Sequence, residues 1–129
     1  MTGEDRRTPI RVMLVADQPV FISLMETAVL RLPDLEVVAQ AESLAEAHRH
    51  SETVTFDVAV LDLGLPDGNG ADLIPDLRGS NPDVAVLIVS GSLDPSSLER
   101  AAEAGADEVM DKFAPLEDIL ATVRRLGSA

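Results

Sequence analysis

The stretch DVAVLDLGLPDGNG, Asp57 to Gly70, decides how the rest of the chain reads. Asp57–Leu61 is unbroken apolar sequence after its first residue, and predicts a strand buried on both faces, because a strand with one wet face would alternate. A carboxylate, Asp62, follows at once, and Asp67-Gly68-Asn69-Gly70 then makes a tight turn. An ionisable group therefore stands where a buried strand ends.

Outward from that strand the chain alternates. Ile10–Val15 and Val84–Val89 are further apolar runs of strand length, joined by a shorter Glu36–Gln40 and a weak Glu108–Asp111. Phe21, Leu24, Met25, Ala28 and Leu32 mark one face of a helix that begins at Gln18 or Pro19 and that Pro33 closes. Ser43, with Glu46 three residues on, is a capping-box pattern opening a helix from Leu44 to about Ser51. Ala71–Arg78 predicts a third helix kinked near Pro75, and Pro95–Ala104 a fourth stopped by Gly105. Leu116, Ile119, Leu120, Val123 and Leu126 mark a fifth. Strand and helix thus alternate five times, the pattern of an α/β fold with a parallel sheet and helices on both faces. In such sheets ligands gather beyond the C-terminal strand ends.

Composition narrows the classes of function. A length of 129 residues suits one domain, 10–129, behind a flexible segment 1–9. The absence of cysteine excludes disulfides, thiol catalysis and zinc-thiolate sites, and is compatible with a cytoplasmic setting. No apolar run approaches a bilayer span, and Thr2 to Pro9 is polar, unlike a signal peptide. The net charge of −13 repels phosphate backbones and anionic lipid, so neither direct nucleic-acid binding nor membrane attachment is expected.

Four polar residues stand at the predicted C-terminal strand ends: Asp17, Asp62, Ser90 and Lys112. Singly each has an ordinary reading, and Asp17 in particular could be the N-cap of the first helix rather than a metal ligand. Together they are two carboxylates for a hard cation, a hydroxyl and an ammonium, the parts that phosphoryl transfer to a carboxylate requires. Lys112 is the only lysine among ten Lys and Arg residues. Asp67 reads as turn chemistry, Asp111 as a solvated charge, and His48 and His50 as exposed residues of a short polar helix.

From about Arg11 to Leu126 the chain resembles the receiver domains of bacterial two-component response regulators. LVADQP, DVAVLDLGLPDGNG, LIVSGS and AGADEVMDK carry the resemblance. It implies a (βα)5 flavodoxin-like sheet of strand order 2-1-3-4-5. It implies that Asp62 accepts a phosphoryl group from a sensor histidine kinase, and that Asp17, Asp62 and the Gly64 carbonyl hold Mg²⁺, with Mn²⁺ an alternative. Ser90 and Lys112 then contact the phosphoryl group, and Gly91 leaves Ser90 room. LVADQP and AGADEVMDK resemble most the regulators with a helix-turn-helix DNA-binding output domain, which an excised fragment would lack. Homodimerisation is compatible with the resemblance, and the partner face is expected around Pro95–Leu126. Such a domain assists its own phosphorylation and dephosphorylation and is not a turnover enzyme on external substrates.

Three positions depart from the family pattern. Ala16 replaces the first of two adjacent acids after strand one, Val109 replaces an aromatic three residues before the lysine, and Phe113 replaces the proline after it. Ala16 and Val109 keep open a second reading, a receiver that signals by binding without phosphorylation. A dinucleotide site is disfavoured because ADQPVF has no glycine, and a haloacid-dehalogenase-type hydrolase because Gly64 stands where its second acid belongs. With alanine at position 16 the metal pocket lacks the charge of the family's first acid, so Mg²⁺ should bind more weakly to the wild type than to Ala16→Asp. Calorimetric titration giving equal affinities would refute this.

Overall fold

Alternate residues of each central strand enter two different apolar layers in the computed structural model, which describes residues 8–128. Strands β1 (Ile10–Val15), β2 (Leu35–Ala41), β3 (Val58–Asp62), β4 (Ala85–Ser90) and β5 (Glu108–Asp111) form one parallel sheet in the order β2-β1-β3-β4-β5. Met13, Val15, Ala59, Leu61, Val86 and Ile88 pack on one face against α2 (Leu44–Thr53), α3 (Ile74–Ser80) and α4 (Pro95–Ala104). Val12, Leu14, Val58, Val60, Leu87 and Val89 pack on the other against α1 (Pro19–Leu30) and α5 (Leu116–Gly127). Both faces are covered, which is why the strands read as continuous apolar runs. Among the described residues no helix is long and apolar enough to cross a membrane. The segment expected to be flexible, 1–9, lies outside the described residues apart from Thr8 and Pro9.

Several boundaries differ from the sequence expectation for identifiable reasons. β3 starts at Val58, although the Asp57 backbone still bonds the Arg11 carbonyl at 2.8 Å and the Ala85 N–H at 3.0 Å, and its carboxylate accepts from the Arg11 N–H at 2.9 Å. The third helix is not continuous from Ala71. Gly70–Leu73 is a 3₁₀ turn whose last bond runs from Ile74 N–H to the Ala71 carbonyl, and α3 begins only there. Pro75, within the first two residues of α3, has no N–H to continue an α-helical ladder back to Ala71. Ser43 caps α2 by accepting from Glu46 N–H, while Glu46 reaches back to Glu42 N–H, one residue before the cap. Gly105 ends α4 in the left-handed region at φ 98°, as its type suggests.

The end of β3 is set by a close approach. The chain after Asp62 forms a small antiparallel ladder between Gly64–Leu65 and Gly68–Asn69, then returns beneath the strand with Gly70 N–H bonded to the Leu63 carbonyl at 2.9 Å. A Cβ on Gly70 would run into the Asp62 carbonyl oxygen, whereas one on Gly64 meets nothing within 4 Å. Gly70→Ala should therefore lose about 1–3 kcal/mol of stability in urea unfolding, and Gly64→Ala less than about 0.5 kcal/mol.

Candidate functional site at the strand ends

Parallel strands bring the C-terminal ends of β1, β3, β4 and β5 to one edge, where Asp62 and Lys112 meet. Asp62, the last residue of β3, is 3% exposed. Its Oδ2 is in direct contact with Lys112 Nζ, and its Oδ1 accepts from the Gly64 N–H at 3.1 Å. Lys112, 8% exposed, follows β5, and its backbone N–H donates to the Ser90 carbonyl at 2.9 Å. Its ammonium also donates to Gln18 Oε1 at 2.8 Å and lies 5.8 Å from the centre of the Phe21 ring. Val109 and Met110 pack toward opposite layers, so the pleat carries Lys112 to the α1/α5 side, the side of Val60 and Asp62.

Asp17 and Ser90 are placed differently. Asp17 does not cap α1. Gln18 holds the N-cap position without a side-chain cap bond, and Pro19 opens the helix with no N–H to satisfy. The half-buried Asp17 carboxylate has no hydrogen-bond or ion-pair partner among the described residues. Ser90 is buried at the end of β4, but its hydroxyl engages the Ser92 backbone, donating to the carbonyl at 2.9 Å and accepting from the N–H at 3.2 Å. Ala16 is fully buried, with Leu14 in the α1/α5 layer. Among the described residues no group of three or more His, Asp or Glu side chains gathers as a metal cluster, so the strand-end pair supplies two carboxylates and no more.

The chain matches the model of the response regulator receiver domain over residues 12–124. It belongs to that family. The DNA-binding transcriptional activator DevR/DosR of Mycobacterium tuberculosis is 34% identical to this receiver domain over 119 residues, 92% of the chain and 55% of that protein. The NarL signal receiver domain from the same organism superposes with a TM-score of 0.86 at 25% identity, covering 94% of this chain and 98% of that one. A response regulator from Burkholderia pseudomallei, solved with a phosphorylated aspartic acid, calcium ion and citrate, gives a TM-score of 0.79 at 26% identity. It covers 92% of this chain and 69% of that one. The chain spans about half the length of the curated relatives it matches.

Two residues of this receiver domain do more than the sequence suggests. Gln18 contacts the lysine, and only its place at a helix entry beside Asp17 could have pointed to it. Asp67 is more than a turn residue: its carboxylate accepts from the N–H groups of Leu44 at 2.8 Å and Ala45 at 3.1 Å, tying the loop after Asp62 to the start of α2. Next to Lys112 a groove of about 330 Å³ is walled by Val20, Phe21, Leu24, Phe113, Leu116 and Ile119. Leu24, expected in the core, is 53% exposed there. His48 is exposed and lies near Glu52 and Asp76.

The N–H groups of Leu44 and then Ala45 hold the Asp67 carboxyl below its ordinary value of 3.8. A depressed folded-state value means that this tie is fully present above 3.8 and is lost as the pH falls through the lower folded value. Thermal midpoints followed into acid should fall less steeply for Asp67→Asn than for the wild type, and identical slopes would rule the tie out.

Proposed function

We propose that Asp62 takes a phosphoryl group from a phosphohistidine of a sensor histidine kinase, in a Mg²⁺-dependent reaction that switches the domain's partners. The observation that carries this reading is the buried Asp62 carboxylate paired with the chain's only lysine, at the strand edge that also carries Asp17, whose carboxylate has no partner among the described residues. An Asp62 oxygen attacks phosphorus, the O–P bond forms as the P–N bond breaks, and the electron pair of that bond stays with the imidazole.

The donor set fits a hard divalent ion, because Asp17 is half-buried with nothing among the described residues to neutralise it and both side chains offer oxygen. Asp17, Asp62 and the Gly64 carbonyl would hold Mg²⁺, or Mn²⁺, which when bound neutralises phosphoryl oxygens that otherwise repel the carboxylate. Lys112 turns from the Asp62 carboxylate to a phosphoryl oxygen once Asp62 is esterified. Ser90 exchanges its bonds to Ser92 for a bond to the same group, in space left by Gly91. The domain is consumed stoichiometrically as an acceptor, and it is not a turnover enzyme on external substrates.

A kinase that delivers phosphohistidine to Asp62 passes Lys112 and meets the exposed apolar rim of Val20, Leu24 and Phe113. Output runs through the face of α4, β5 and α5, by homodimerisation or through a helix-turn-helix DNA-binding domain of the kind the DNA-binding relative suggests. Ala16 and Val109 favour the second reading, a cytoplasmic receiver that acts by binding alone. Beryllofluoride with Mg²⁺ separates the two, since the leading reading requires NMR shifts around Asp62.

Incubation with acetyl phosphate and Mg²⁺ should add one phosphoryl group to the wild type by mass, and none to Asp62→Asn or to the wild type in excess EDTA. An adduct on both proteins would take Asp62 out of the reaction.

A further inference from the structure

We infer that Gln18 is the positioning residue for Lys112, holding its ammonium where the phosphoryl oxygen arrives. The inference rests on the phosphoacceptor reading of Asp62 and adds a residue to that site. An ammonium has three N–H donors and no acceptor, so the amide must turn Oε1 toward it, and the orientation of Gln18 is fixed by chemistry. The bond spans 94 residues of sequence and joins the entry of α1 to the end of β5.

Gln18 gives up a local role to make this contact. The side chain at an N-cap ordinarily bonds the free N–H groups of its own helix, and that of Gln18 does not. Three residues on, Phe21 from the same turn places its ring under the ammonium at 5.8 Å, so α1 contributes two of the groups around Nζ. Those groups are needed because lysine carries its charge on a long, flexible stem. The residue after it offers no help: Phe113 is 78% exposed and its ring lies against Gly91.

The contact matters most when Asp62 is occupied. In the resting site the Asp62 carboxylate itself holds Lys112. Esterification of Asp62 removes that carboxylate charge, and the neutral acceptor of Gln18 is unchanged by the reaction. Gln18 therefore keeps Nζ at the site while the lysine exchanges one anionic partner for another.

The test uses Gln18→Met, which keeps the length and removes the acceptor, and Gln18→Glu, which keeps an acceptor. Because Lys112 is the only lysine, protein labelled with ¹⁵N-lysine reports on this one ammonium. Gln18→Met should shift that signal or lose it to faster proton exchange, and should slow phosphorylation by acetyl phosphate about tenfold. Mg²⁺ affinity and the thermal midpoint should stay at wild-type values, and Gln18→Glu should retain the lysine signal. A wild-type rate or an unmoved lysine signal in Gln18→Met would overturn the proposal, as would a loss of rate explained by weaker Mg²⁺ binding or a lower midpoint. If the wild type takes no phosphoryl group, the phosphoacceptor reading fails and Gln18 loses its part in a reaction. The lysine signal then decides by itself whether Gln18 seats Lys112.

Discussion

The buried contact between Asp62 and Lys112 is the interaction around which the strand-end site is arranged. Such a pair is a poor stabiliser by default, because desolvating two charges offsets most of their attraction. Replacing both partners with apolar groups is often neutral, while removing only one leaves a bare charge and costs about 3–5 kcal/mol. A core that needed only cohesion at this edge could do without either charge. The pair also bridges β3 and β5, which flank β4, so it exists only while all three strands hold register. Each partner has one further polar contact, the Gly64 N–H on the carboxylate and Gln18 on the ammonium.

Strand direction and pleat together explain the arrangement. Parallel pairing puts Asp62 opposite Val89 and Ser90 opposite Asp111, so the polar strand ends share one edge without any loop having to fold back. The period of two then divides them. Asp62 follows Val58 and Val60 toward α1 and α5, whereas Ser90 follows Val86 and Ile88 toward the opposite layer. That parity accounts for Asp62 meeting the lysine while the Ser90 hydroxyl turns to Ser92. Ala16 follows Val12 and Leu14 and so lies on the Asp62 side, where its methyl group occupies a position that the family pattern gives to a carboxylate.

What the sequence reveals is what depends on short-range pattern. The bounds of β1, α4 and β5, the Ser43 cap and the Gly105 stop follow from apolar runs and from residue types with fixed backbone or capping preferences. Asp57 and Asp67 escape the same reading because their partners, Arg11 N–H and the N–H groups of Leu44 and Ala45, are distant in sequence. Leu24 keeps helical spacing with the core residues of α1, yet no helix covers it, and periodicity cannot tell a face that is apolar from one that is buried. At the site, Asp62 and Lys112 were legible as strand-end residues and do meet. Gln18 was not, since beyond its place beside Asp17 an uncharged side chain at a helix entry does not name the cation it reaches across the sheet.

Hydrogen bonds in the β4–α4 loop connect the end of β4 to the start of α4. Ser90 Oγ holds both the carbonyl and the N–H of Ser92, and Ser92 Oγ donates to Asp94 Oδ2 at 3.3 Å. Asp94 in turn caps α4, accepting from Ser97 N–H and the Ser96 hydroxyl, which hold its carboxyl below the ordinary value. A turn of the Ser90 hydroxyl toward Asp62 would break both of its bonds to Ser92. The residue so released is the one bonded to the α4 cap. A polar chain of four side chains thus joins the end of β4 to the first turn of α4, in a loop whose residues are exposed.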